Sequence, residues 1–397
     1  MTDSKSFLLS SQDSSSLRRG LFKRRLTVKV ISCNLLVLLL IFGLGYCLAY
    51  HFFTFESYVD CHGSHCFPRK GFIPFDTLMK LVDPRENSIL PSRNPCSYQS
   101  FKDNDKLNFL VIVKTAIPNQ DRRTIIREFA PLNFKPLFVV GRNSSEQIPE
   151  AIIEEEQVFG DLLIGNFIDS FRNLTIKVLL GFNFAAEFCN QENSDINFIL
   201  QIDDDQFINY DAVEELALKR YSSESSGMFL SCFRYSNTIN RNPFSKRFVS
   251  RHEVSSDSFP NYCPGCFSMT DVRSLQNIMA TLTKPEAKYP FWQDDVWLTG
   301  MLRSLSDVKI HRIDEKFRNV HNYVLEEWTD SNQNPKNSYL PYVLSEIIAS
   351  PNIWTWLAGT SDQLKANGLK LCRDTYEKVN LVRESCGRSC LIPEDLE

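Results

Sequence analysis

The chain has 397 residues, room for about two average domains, and a formal net charge of −4. With a pI near 6.0 it lacks the basic footprint by which proteins hold nucleic acid, and that class of partner is excluded.

Residues 1–29 are rich in Ser and Arg with little apolar periodicity, the composition of a disordered tail. Residues 30–50 form an almost unbroken apolar run without a charge, interrupted mainly by Ser32 and Asn34. As a helix this run would reach ~31 Å, enough to cross a bilayer core. Arg18, Arg19, Lys23, Arg24, Arg25 and Lys29 precede it, and Glu56 and Asp60 are the first charges after it. That asymmetry places the N-terminus in the cytosol and the remaining chain across the membrane. A cleaved signal peptide would need a shorter basic region, a shorter apolar core and an A-x-A-like site, so the run reads as a retained single-pass signal anchor. Cys33 and Cys47 lie inside it, and the other ten of the 12 cysteines follow it, an even number where disulfides can form. Asn143-Ser144-Ser145 and Asn173-Leu174-Thr175 are glycosylation acceptors suited to the same compartment.

Residues 51–106 hold repeated Pro, Cys and Asn, including Pro84, Pro91 and Pro95, and read as a stem, with helical spacing from Gly71 to Val82. A catalytic body is expected over residues 107–349. Asn108 to Lys114 and Lys135 to Gly141 are short apolar runs suited to buried strands, Arg122 to Phe129 and Asn173 to Phe188 to helices. Phe198 to Ile202 is a further strand, and Met228 to Cys232 another, followed by a polar, basic segment through His252. This alternation indicates an α/β fold with a mostly parallel sheet and helices on both faces.

The strand from Phe198 ends in Asp203-Asp204-Asp205. Three adjacent carboxylates repel one another, and a divalent cation is the simplest reason to hold them together. Ligands of open α/β sheets bind beyond the carboxyl ends of strands, where this triplet falls. The competing reading is an acidic loop capping the helix that follows Asp211.

Several segments, in order, resemble the beta-1,3-galactosyltransferase family, also called glycosyltransferase family 31. They are Arg122-Arg123 with Ile126-Arg127-Glu128-Phe129, Phe159 to Leu163 with Phe167 to Lys177, Gln201 to Asn209, Tyr262 to Cys266, and Asp294 to Gly300. Phe129 stands where the family has Trp, Asp294 where it has Glu, and Cys266 where it has Gly. The resemblance covers about Leu107 to Trp328. It implies a glycosyltransferase A type fold, a uridine diphosphate (UDP) sugar donor and a metal, with Mn²⁺ favoured if an imidazole joins the ligands. Asp205 would ligate the metal directly, Asp203 would act through the ribose or a water, and Asp204 would support the turn. His321 would be the third metal ligand, with His311 as its rival.

Inverting transfer to a hydroxyl also needs a carboxylate base. Asp294 and Asp295 are the candidates, with Asp295 preferred as base and Asp294 as helix N-cap. Their aromatic neighbours Phe291, Trp292 and Trp297 could stack on sugar rings. Arg122, Arg123 and Arg127 could hold diphosphate or uracil through their forked donors, against the plainer reading of helix-surface charges, which is kept open for Arg122. Lys177 reads as structural. Cys263-x-x-Cys266 has no second pair at zinc spacing and reads as disulfide-forming. Residues 350–397 form a Cys-containing extension.

Taken together, these readings describe a type II Golgi membrane enzyme. It would move galactose or an N-acetylhexosamine from UDP to a sugar hydroxyl of a glycoprotein or glycolipid, forming a β1,3 bond. The alternative is an inactive relative acting as a secretory-pathway chaperone or glycan-binding protein.

Overall fold

The computed structural model describes residues 61–62, 65–66, 72–97, 107–144, 147–189, 194–208, 210–222, 227–232, 236–313, 343–344, 373 and 377. The elements named below belong to one compact unit, Val59–Val249 with Glu253–Glu397. The apolar run at residues 30–50, and His321, lie outside the described residues. Among those described, no helix is long and apolar enough to cross a membrane.

An eight-stranded sheet organises the unit. Its strands are β1 (Ser88–Ile89), β2 (Phe109–Lys114), β3 (Phe134–Arg142), β4 (Leu162–Ile168), β5 (Phe198–Asp203), β6 (Phe229–Cys232), β7 (Phe267–Asp271) and β8 (Lys309–Arg312). Across the sheet the order is β8-β6-β7-β5-β2-β3-β4-β1. The central strands β5, β2, β3 and β4 are mutually parallel. Only β7 and the short edge strand β1 run the other way. The sheet is therefore mostly parallel, as the alternation of strands and helices requires.

Helices cover both faces, which is why the central strands are apolar on both sides. On one face lie α1 (Phe75–Leu81), α4 (Leu174–Phe188) and α6 (Val272–Ala280); on the other lie α2 (Gln120–Phe129), α3 (Glu150–Phe159) and α5 (Tyr210–Ser222). Alternation along β2 divides the work: Leu110 and Ile112 enter the first core, while Phe109, Val111 and Val113 enter the second. Each such side chain contributes roughly 1.5–3 kcal/mol when fully buried. Gly160 ends α3 in the left-handed region at φ 68°, where glycine carries no Cβ penalty. Apolar runs locate most central strands within a residue or two. Elements α3, β1, β4, β7 and α6 are not marked in this way, since β1 is very short and the cues of the others are spread over motif residues and mixed polarity.

The strand order sets the site. From β2 the chain winds outward through β3 and β4, then crosses back to place β5 on the other side of β2. That reversal opens a crevice beyond the carboxyl ends of β2 and β5, the usual place for a ligand in an open α/β sheet.

Candidate active site

Lys114 closes β2 and Asp203 closes β5, and the two are register partners on neighbouring parallel strands. The Lys114 Nζ reaches Asp203 Oδ1 at 2.8 Å and Asp294 Oδ2 at 3.1 Å, with only 4% of its side chain exposed. Burial opposes the charge, but the two carboxylates outweigh it and hold the ammonium above its ordinary range. One buried cation thus joins the Asp203–Asp205 triplet to the distant Asp294-Asp295 pair. A cavity of about 520 Å³ opens here, lined by the β2–α2 loop, all three triplet aspartates, Asp169, Phe171 and Lys177.

The triplet divides by role. Asp204 turns inward and accepts hydrogen bonds from Thr115 Oγ1 (2.7 Å), Asn119 Nδ2 (2.8 Å) and Arg122 Nη1 (2.7 Å). It pins the loop that forms the cavity wall. Asp203 and Asp205 remain at the cavity, Asp203 with 38% of its side chain exposed. Burial and the neighbouring Asp203 charge push Asp205 up to about 6. Two mutually repelling oxygen donors at the cavity are part of the donor set a hard divalent cation takes, so Asp203 and Asp205 fit such a cation without selecting one. Among the described residues no cluster of three His, Cys, Asp or Glu completes a site. His311, the alternative third ligand, sits on the edge strand β8 against the Phe229 ring at 5.9 Å, with β6 and β7 between it and β5.

Asp295 opens a π-helix, Asp295–Leu302, a wide-turned form frequent at functional sites. The helix expected to follow Asp294 is thus a π-helix and not an ordinary α-helix. Asp295 accepts from the Val296 amide at 2.8 Å and from the Gly265 amide at 3.3 Å. Burial, then the Asp294 charge, pushes its carboxyl up to about 7. Asp294 makes no capping hydrogen bond, which overturns the N-cap reading; its carboxylate is taken by Lys114 instead. Gly265 sits where a Cβ would lie 2.8 Å from Lys114 Nζ, so its lack of a side chain makes room for the bridge.

The arginines have a different use from the one expected. Arg123 is fully buried, with its fork on Glu155 at 2.8 and 2.7 Å and further bonds to the carbonyls of Ala116 and Ile117. Arg127 holds Asp161 by two 2.8 Å bonds and lies over the rings of Phe138 and Phe159. Arg122 is spent on Asp204. All three assemble the wall behind the cavity instead of facing a diphosphate, because the carboxylates of α3 and the triplet reach them first. Phe291, Trp292 and Trp297 are likewise buried, at 3%, 3% and 0% exposure, and offer no sugar platform. Phe171, 39% exposed in the cavity wall, does.

Lys177 bonds Asp169 Oδ1 at 2.6 Å and the Thr115 carbonyl, tying α4 to the cavity wall. Cys263 pairs with Cys232 and not with Cys266, whose thiol burial pushes up to about 12. A second disulfide joins Cys96 to Cys189. Asn143 lies in the cavity lining and accepts from the Gln147 amide through Oδ1. Asn173 Nδ2, the atom a glycan would need, donates to the Ile168 carbonyl at 2.8 Å, and Thr175 of that triplet is buried on the Phe291 carbonyl. Asn173 is therefore employed structurally. Lys114 and Asp169 were missed in the sequence; a charged residue closing an apolar strand in line with Asp203 was the available signal for Lys114.

Beta-1,3-galactosyltransferase 5 of Homo sapiens is 34% identical over 131 residues, covering 33% of this chain and 40% of that protein. Beta-1,3-galactosyltransferase 1 of Mus musculus is 28% identical over 185 residues, covering 43% of this chain and 55% of that protein. The chain thus spans from two fifths to just over half the length of these curated relatives. Among solved structures, the glycosyltransferase GlyE of Streptococcus pneumoniae TIGR4 shares 10% identity at a TM-score of 0.33, over 72% of this chain and 65% of that one. Residues 114–316, just over half of the 397, match the Galactosyltransferase family, and they run from the Lys114 bridge past Asp295: the chain belongs to that family.

Proposed function

We propose that the chain is an inverting hexosyltransferase of the glycosyltransferase A type. It would move galactose or an N-acetylhexosamine from a UDP-sugar to a sugar hydroxyl on a glycoprotein or glycolipid, forming a β1,3 bond. The observation that carries this reading is the Lys114 bridge, which brings the Asp203–Asp205 triplet and the Asp294-Asp295 pair to one crevice at the switch point. Breaking a sugar–phosphate bond gathers negative charge on the departing diphosphate. Asp203 and Asp205, with His321 as the proposed third ligand, would hold Mn²⁺, which would supply Lewis-acid stabilisation of that charge.

The chain's own groups do the rest. Asp295, with a carboxyl near 7, is poised to take the acceptor hydroxyl's proton at neutral pH. The Gly265 amide orients it, and Asp294 is held in place by Lys114. Asp204 and Arg123 keep the β2–α2 loop fixed, so the cavity need not reorganise as the donor enters. The basic residues before positions 30–50 support a type II orientation, and the reading places the site in the Golgi lumen.

The test is a screen of UDP-galactose, UDP-N-acetylglucosamine and UDP-N-acetylgalactosamine, reading UDP released by the full chain in detergent. One donor should be consumed with Mn²⁺, and excess chelator should stop the release reversibly. No release from any donor would sink the activity, and undiminished release in chelator would sink the metal.

A further inference from the structure

Lys114 and Lys177 in the cavity lining, and Arg122, Arg123 and Arg127 behind it, each hold at least one carboxylate. Arg172, Lys246 and Arg247 differ. They are exposed, and none forms an ion pair among the described residues. The Arg172 guanidinium lies 3.9 Å over the Trp292 ring, Lys246 Nζ lies 5.2 Å from the Phe171 ring, and the two rings are 6.0 Å apart. Phe171 lines the cavity and Trp292 stands two residues before Asp294, so these charges are held at the rim of the candidate site.

The loop that carries two of them is rigidly built. Val249 N donates to Asn240 O at 2.9 Å and closes its ends. Arg241 fixes its base by donating to the carbonyls of Val249, Val254 and Ser256 at 2.9, 2.8 and 2.6 Å. Gln293 Nε2 tethers it beside Asp294 through the Arg247 carbonyl at 3.3 Å. Yet this ordered loop holds Phe244 at its tip 89% exposed. Loops that present such groups from a fixed scaffold are where recognition residues concentrate.

We propose that residues 240–249, with Arg172, form the acceptor-side platform, and that its ligand is an acidic glycan, a sugar chain bearing a carboxylate or a sulfate. Phe244 packs on a sugar face, and the Arg172 fork and Lys246 ammonium meet the anionic group. Arg172 and Lys246, held over rings at the rim, offer an anionic acceptor contacts that a neutral one does not use, and they offset the aspartates lining the cavity. The inference rests on the proposed transferase reading for the word acceptor, but the binding it describes is independent of turnover.

The test titrates the full chain in detergent with one oligosaccharide in three forms: neutral, carrying one carboxylate, and carrying one sulfate. At low ionic strength an acidic form should bind about tenfold tighter than the neutral one, the sum of a few exposed ion pairs. The gain should shrink as salt is raised. Charge reversal in Arg172→Glu with Lys246→Glu should bring the acidic-to-neutral ratio to about one, while Lys246→Arg keeps it; thermal unfolding midpoints check that each variant is folded. The two acidic arms distinguish carboxylate from sulfate. Equal binding of all three forms, or a preference that survives charge reversal, overturns the proposal. UDP-sugar hydrolysis without acceptor is read alongside: its absence with the acidic preference intact would sink the transferase reading and leave this one standing.

Discussion

Without the Lys114 ammonium, Asp203 and Asp294 would face each other across the crevice with nothing between their charges. Removing one partner of a buried pair leaves the other uncompensated, so Lys114→Met should cost roughly 3 kcal/mol. Chemical denaturation of the full chain checks this, and a loss below about 1 kcal/mol would mean that the bridge is not needed. Asp295 gives a pH dependence with a definite sign. A base must be ionised, so kcat/KM should rise with pH and level off above about 7. Stability should move the other way. The native chain keeps at Asp295 a proton that an unfolded chain releases near pH ~4, so this residue's contribution falls as pH rises from about 4 to about 7. A pH–rate profile flat from 5 to 8 would exclude Asp295 as the base.

At the scale of elements, the β2–α2 loop and the π-helix are the two walls that must keep their places. Asp204 gathers Thr115, Asn119 and Arg122 into the first wall without remaining available to a ligand. Asp204→Ala should therefore lower stability by about 3 kcal/mol, as breaking a buried ion pair does; an unchanged unfolding midpoint would contradict that role. Gly265 serves the second wall. A methyl at Gly265→Ala would press on Lys114 Nζ and displace the bridge, so turnover should fall by roughly 10²-fold, the cost of misplacing catalytic groups by an ångström. Kinetics beside a thermal melt would show it, and wild-type turnover would mean that the bridge tolerates the shift.

Strands β2, β3 and β5 were legible from their apolar runs, because burial on both faces writes itself into the sequence. The fates of Arg123 and Arg127 were not legible, since their partners Glu155 and Asp161 lie about thirty residues on and nothing local announces them. The π-helix was hidden for a related reason. Its contacts to the Cys263–Gly265 loop, from the Gly265 amide to Asp295 and from Thr299 to the Cys263 carbonyl, reach about thirty residues back along the chain. Asp203–Asp205 and Asp294-Asp295 were visible as candidates because carboxylates so close together invite a functional reading. Only the fold shows that one lysine holds the two groups together.

For the whole molecule, orientation and chemistry are separate questions. If residues 30–50 anchor the chain with its N-terminus in the cytosol, a C-terminal tag should be protected from protease in sealed microsomes; digestion of the tag would reverse the orientation. The central claim is that the crevice beyond β2 and β5 transfers a sugar from UDP using Asp295 as base. Its most direct test sets turnover beside calorimetric binding of the UDP-sugar, for the wild type and for Asp295→Asn. The amide keeps the side chain's shape but cannot take the proton, so donor affinity should stay nearly unchanged while transfer falls by roughly 10²–10⁴-fold. Transfer at the wild-type rate, or donor binding lost together with activity, would contradict the claim.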